Sequence, residues 1–173
     1  MSTVLADTAG SHMPSVETED RSGFDRSDPA LLHSLSDLMA RVLAAEGLGE
    51  EASAGLHLVS VEEMAAMNEE HMGSEGPTDV LSFPVDGGAD TVPAGQPTLV
   101  GDVLISPQVA ASQADGHAGD YEAECRLLVV HGSLHLTGWD HADDSSRESM
   151  WGRERELLAS LDMLPPRDPW APQ

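Results

Sequence analysis

The chain has 173 residues and a mass of 18.3 kDa, the size of one domain, and 40 % of it is hydrophobic but only 3 % aromatic, so its core must be built from Leu, Val, Met and Ala. Thirty-one Asp and Glu against eight Lys and Arg give a formal charge of −23, and all eight basic residues are Arg; this composition argues against a simple DNA-binding module, which needs cations on phosphates, but not against an RNA substrate delivered by other contacts. A single cysteine, Cys125, excludes an intrachain disulfide framework and points to a reducing compartment, and apolar runs of at most four residues exclude a membrane span of roughly 20. The first thirteen residues lack Lys and Arg, as no secretory signal does, so the expected location is cytoplasmic.

In chain order, residues 1–13 read as a disordered extension, 14–164 as one domain and 165–173 as a loose, Pro-rich tail. A strand is expected at Val16 to Asp20. Asp28-Pro29 reads as an N-cap with Pro at the first helical position, and Leu31, Leu35, Leu38, Met39 and Val42 follow at helical spacing until Gly47 to Gly49. Leu56, Leu58 and Val61 alternate like a strand. Ser60 and Glu63 have the spacing of a capping box ahead of a helix with Met64 and Met67, broken at Gly73 to Pro77. Val80 to Phe83 is a short strand, 86–98 a loop, and Leu99 to Ile105 a buried strand interrupted at Gly101-Asp102. Pro107 opens a helix that fades near Gly116. Asp120 caps a longer one that runs to Thr137 and ends at Gly138. Ser145 and Glu148 suggest a further capping box, with Met150, Trp151, Leu157, Leu158 and Leu161 as the apolar stripe behind it. Charge is uneven along this map. Residues 61–120 carry eleven acids and no basic residue, which reads as a solvated face, whereas 121–173 carry five Arg.

Three of the eight histidines fall within eleven residues, at His131, His135 and His141. At 100° per residue His131 and His135 point within about 40° of each other on a helix face shared with Leu127, Leu128 and Leu134. Polar rings on an apolar face need partners, since each unsatisfied group costs on the order of 1–3 kcal/mol. Gly138 permits a turn that brings His141 back as a third ligand. Three neutral imidazoles plus water make an open zinc site of the catalytic type. Cys125 is a poor fourth ligand, and the histidines at 12, 33, 57, 71 and 117 read as ordinary structural side chains. The ligand spacing is that of H-E-x-x-H-x-x-G-x-x-H peptidases, except that Gly132 replaces the Glu that serves them as general base. Asp140 is the nearest carboxylate, with the role of orienting a zinc histidine as its first reading.

The stretch Val130-His131-Gly132-Ser133-Leu134-His135-Leu136-Thr137-Gly138-Trp139-Asp140-His141 closely resembles the signature of the YbeY family, H-G-x-L-H-L-x-G-[YW]-D-H. Pro77-Thr78-Asp79-Val80-Leu81-Ser82-Phe83-Pro84 and Gly101-Asp102-Val103-Leu104-Ile105-Ser106 are similar to two further family strands, in the same order. The resemblance implies an α+β fold with a small mixed four-stranded sheet flanked by helices and a zincin-like metal-binding helix. It implies a single-strand-specific endoribonuclease with one zinc ion on His131, His135 and His141, acting in 16S rRNA 3′-end maturation and ribosome quality control. The implied partners are precursor rRNA on the small subunit, a small-subunit ribosomal protein and a ribosome-associated GTPase, with no DNA and no membrane. Asp140 and Asp102 are the candidate proton-handling residues. One departure stands out: where many members carry Tyr-Arg in N-x-x-Y-R-G, this chain has His71-Met72, so either a late arginine such as Arg147 supplies the phosphate contact instead or this branch works differently. A non-catalytic zinc-containing assembly factor is the alternative reading, with a metallopeptidase behind it.

Overall fold

The computed structural model describes residues 12–85 and 95–172. The expected features at residues 1–11, 86–94 and 173 lie outside the described residues. Strand β1 (Ser15–Asp20) leads into helix α1 (Pro29–Ala45), β2 (Ala52–Leu58), α2 (Val61–Met72), β3 (Val80–Pro84), β4 (Thr98–Ile105), α3 (Pro107–Gln113), α4 (Tyr121–Leu136) and α5 (Asp144–Ser160). The sheet order is β1-β2-β4-β3; the first three strands are mutually parallel neighbours and β3 runs antiparallel to β4. The α+β class and the mixed four-stranded sheet are as the resemblance implied. No helix among the described residues is long and apolar enough to cross a membrane.

The helix starts follow from side-chain caps. Asp28 accepts from the Leu31 amide at 2.7 Å and Asp120 from the Ala123 amide at 2.8 Å. Ser60 accepts from Glu63 N at 3.1 Å, but the Glu63 carboxylate does not complete a box; it pairs instead with Arg21 at 2.7 Å. Val61 belongs to α2 rather than to the preceding strand, because the Ser60 cap has already turned the chain. At α5 the expected Ser145/Glu148 box gives way to one two residues earlier, in which Asp143 and Ser146 exchange side-chain-to-backbone bonds. Asp outranks neither Ser nor Asn as a cap, but here it has a hydroxyl three residues on that can reach back.

The interruption of β4 at Gly101-Asp102 is a bulge: Ser53 pairs with Leu99 and Ala54 with Gly101, leaving Val100 unopposed on β2. Gly101 has φ +142°, and a Cβ there would lie 2.2 Å from the Phe83 carbonyl oxygen of β3. Beyond the bulge the strand alternates cleanly. Val103 and Ile105 face the main core with α1 and α4, while Leu104 faces α2 in a smaller cluster with Val59, Met64 and Leu81. α4 is the central helix, buried along most of its length between the sheet, α1 and α5.

The residues after Pro165, expected to be loose, are docked. Trp170 is buried, the Arg167 amide donates to the Ala118 carbonyl at 3.1 Å, and the Trp170 indole donates to Glu154 at 2.7 Å. Pro content kept the segment out of helix and strand but did not prevent an aromatic anchor from finding a buried carboxylate.

Candidate metal centre

The last turn of α4 and the loop after it assemble the three histidines. α4 ends in a Schellman motif: Trp139 N donates to Leu134 O at 3.1 Å and Gly138 N to His135 O at 3.2 Å, with Gly138 at φ +99°. That reversal sends the chain back past its own helix end and sets His141 against the two helical histidines. Its ring centroid lies 5.3 Å from that of His131 and 4.9 Å from that of His135. One ligand nitrogen from each of the three falls within 4.8 Å of the others.

Each helical imidazole is fixed through Nδ1. His131 Nδ1 lies 2.6 Å from a Glu154 carboxylate oxygen, and His135 Nδ1 lies 2.9 Å from the Trp139 carbonyl oxygen. Carboxylate and carbonyl oxygens only accept, so both rings carry their hydrogen on Nδ1 and present Nε2 as a lone pair. The two Nε2 atoms are 3.1 Å apart. Two lone pairs at that separation repel unless a cation lies between them, and a tetrahedral ion with bonds of about 2.0–2.1 Å sets its ligand nitrogens about 3.3 Å apart. Burial first, then the charges of His131 and His141, push the His135 pKa down to about 4, which keeps it in the neutral form a metal requires. The donor set therefore fits a divalent ion such as zinc.

Glu154 is the functional residue that sequence reasoning missed. It sits on α5, 2 % exposed, 23 residues after His131. Only its place in the apolar stripe of α5, an acid where the periodicity calls for a hydrophobe, signalled it. Glu46 is a second such residue. At the end of α1 it accepts from the Trp139 indole at 2.8 Å and from Arg153 at 2.7 Å, tying the loop that carries the His135 acceptor to α1 and α5.

The two acids expected to handle protons are not brought to the histidines. Asp102 lies on the face of β4 opposite Val103, and so opposite α4; its carboxylate is 3.1 Å from His57 Nε2. Asp140 accepts from the Ala142 amide at 2.5 Å and shapes the turn into His141, beside Gly138 and Ser146. The orienting role foreseen for it is filled by Glu154 and the Trp139 carbonyl. Arg147 pairs with Asp144 at 2.5 Å and lies over the Trp151 ring, and it is not among the residues that line the histidine cleft.

The histidines open into a cleft of about 450 Å³ floored by Ser82 and walled by Asn68, Met72, Asp79 and Pro84. Met72 is 64 % exposed at its mouth, and His71 packs edge-on against Phe83 at 5.0 Å. Among the described residues, no Arg or Lys lines this cleft. Gly132 is where α4 touches the sheet: a Cβ there would lie 2.7 Å from Val103 Cγ1.

A sequence model described as Endoribonuclease YbeY matches residues 17–162. Relatives described as Endoribonuclease YbeY include one from Salinispora tropica, 37 % identical over 84 % of this chain and 95 % of its own length. Another, from Pelotomaculum thermopropionicum, is 38 % identical over 79 % of this chain and 90 % of its own. The solution structure of TM1509 from Thermotoga maritima superposes with a TM-score of 0.54 over 91 % of this chain and 99 % of that one, at 24 % identity, and so shares the fold. With the histidine cage, the sheet and the close-packed Gly132 all in place, this chain belongs to the endoribonuclease YbeY family.

Proposed function

We propose that this protein is a zinc-dependent, single-strand-specific endoribonuclease that acts in 16S rRNA 3′-end maturation and ribosome quality control in the cytoplasm. The observation that carries the reading is the convergence of three imidazoles, two of them with Nδ1 already engaged, on one open cleft. When bound, the metal supplies Lewis acidity for activating water and for a phosphate oxygen. His131, His135 and His141 hold it. Glu154 and the Trp139 carbonyl fix the ring planes, and the Gly138 turn presents His141. Ser82 and Asp79 line the floor and wall against which a phosphodiester would lie.

The charge of −23 makes free RNA a poor ligand at physiological salt. Specificity then comes from docking on the small subunit, where basic ribosomal proteins complement the acidic surface, with a ribosome-associated GTPase as a further partner. A second reading, a zinc-containing assembly factor without catalysis, is favoured by one observation, the exposed Met72 in a cleft lined by no Arg or Lys among the described residues. Mapping RNA 3′ ends in assembled precursor particles separates the two. New ends with the wild type and none with His135→Ala support the nuclease. Uncleaved RNA with both, together with particle binding that His135→Ala abolishes, supports the assembly factor.

A further inference from the structure

The C-terminal tail reaches the metal centre through one buried carboxylate. Glu154 is 2 % exposed and spends both oxygens on named donors. Oε1 takes His131 Nδ1 at 2.6 Å, and Oε2 takes the Trp170 indole Nε1–H at 2.7 Å. Trp170 is itself 8 % exposed and is held there from several sides. The Arg155 guanidinium lies 4.8 Å from its ring centroid, Asp168 accepts from the Trp170 amide at 3.0 Å, and the Arg167 amide anchors the tail on Ala118. Beside His131, Glu154 and Trp170 line a pocket of about 170 Å³ together with Leu127, Leu128 and Trp151.

A carboxylate in such a place has two ways to turn. With one oxygen engaged by histidine and the other unpaired, burial would penalise it, and rotation toward solvent would release His131. The indole donor removes that choice: it satisfies the second oxygen and fixes the carboxylate plane. A fixed acceptor on Nδ1 in turn fixes the rotamer and tautomer of His131, leaving its Nε2 aimed at the site.

We infer that Trp170 is a positioning residue for the metal centre, acting through Glu154 on His131, so that the C-terminal tail sets the affinity of the three-histidine site. This rests on the metal reading above. Partners of this kind are typically worth 10–100-fold in metal affinity.

The test compares zinc dissociation constants, measured by competition with a chromophoric chelator, for the full-length wild type, Trp170→Phe and Arg155→Ala. Trp170→Phe keeps an aromatic ring but has no N–H; Arg155→Ala loosens the tail but keeps the indole donor. The expected result is at least a tenfold weaker constant for Trp170→Phe and a change below threefold for Arg155→Ala. Equal constants for the wild type and Trp170→Phe would overturn the inference and leave the metal reading intact. Equal weakening in both variants would overturn it as well, because the effect would then be tail docking alone. Absence of zinc binding by the wild type would sink the metal reading, and this inference with it. Should Trp170→Phe not fold, a readout that keeps Trp170 decides. The Trp170 indole ¹⁵N–¹H resonance is expected to shift on addition of zinc and to stay fixed in His135→Ala; a resonance that zinc leaves unmoved overturns the inference.

Discussion

The Ser82 hydroxyl donates to the Gly132 carbonyl at 3.0 Å, pinning α4 to β3 at the position where zinc peptidases of the same ligand spacing carry their Glu. A Cβ at 132 would sit 3.1 Å from Ser82 Oγ and 2.7 Å from Val103 Cγ1. The missing base is thus a packing necessity of this fold, since the helix must approach the sheet to expose its histidines to the cleft. Gly132→Glu is expected to create no peptidase and to cost about 3 kcal/mol through overpacking. Chemical denaturation and a peptide-library assay on the zinc-loaded variant check this. A stable variant that cleaves peptides would refute it.

Removing the metal should separate the site from the scaffold. The three histidines sit at the end of a helix whose core contacts are apolar and independent of any ion. Treatment with a strong chelator is therefore expected to abolish RNA cleavage in assembled particles while leaving far-ultraviolet circular dichroism unchanged. One equivalent of zinc should restore the wild type and not His135→Ala. Loss of helical signal on chelation would show that the metal holds the fold instead.

Acid should act on His135 first. Burial, then the neighbouring His131 and His141, hold its pKa at about 4 in the folded chain, against 6.5 when unfolded. Between those values the unfolded chain binds more protons. The stability contributed by the neutral ring is therefore complete above about pH 6.5, is lost as pH falls, and levels off below about pH 4. The loss is at most about 3 kcal/mol at 1.36 kcal/mol per pH unit, and smaller because the ring is partly solvated. Urea titrations of the metal-free wild type and His135→Ala at pH 7 and pH 5 are expected to show the wild type losing more. A difference between them that does not change with pH would contradict the assignment.

Why some of this was legible in the sequence and some was not follows from distance along the chain. His131, His135, Gly138 and His141 lie within one helix end and one turn, so their spacing carried their geometry. Asp28 and Asp120 cap amides three positions away and Pro107 acts through its own backbone angle, so these helix starts are equally readable. Glu154 and Glu46 meet the site from other helices, 23 residues after His131 and 93 before Trp139, and no local period encodes that. Asp102 and Asp140 lie in or beside the motifs, yet nearness in sequence does not bring a carboxylate to the histidines. Strand alternation turns the first to the far face of the sheet, and an Asx-type turn spends the second on its own backbone.

Glu46 should behave as a hinge pin for the metal loop. It is half-buried and accepts from both Trp139 Nε1 and Arg153 Nε. Glu46→Gln keeps its size but offers a single acceptor and an unwanted donor. It is expected to cost about 2 kcal/mol, the worth of a charged hydrogen bond, and to raise the zinc dissociation constant as the Trp139 carbonyl loses its hold on His135. Thermal melts and chelator competition measure the two effects. A variant that is destabilised yet binds zinc as tightly as the wild type would show that the loop is fixed by its Schellman turn alone.

Met72 marks the place where this cleft is electrostatically incomplete. It is 64 % exposed at the mouth, and among the described residues no Arg or Lys lines the walls behind it. A cation at this position would meet a phosphate without being buried, so it would add attraction at little desolvation cost. Met72→Arg is therefore expected to tighten single-stranded RNA binding several-fold at low salt. It should also steepen the dependence of log K on log salt by about 0.7, the signature of one added phosphate contact. Binding isotherms at several salt concentrations measure both quantities. Tighter binding with an unchanged slope would mean that the new side chain stacks on a base rather than pairing with phosphate. No change in either would place the RNA path elsewhere, beyond the reach of residue 72.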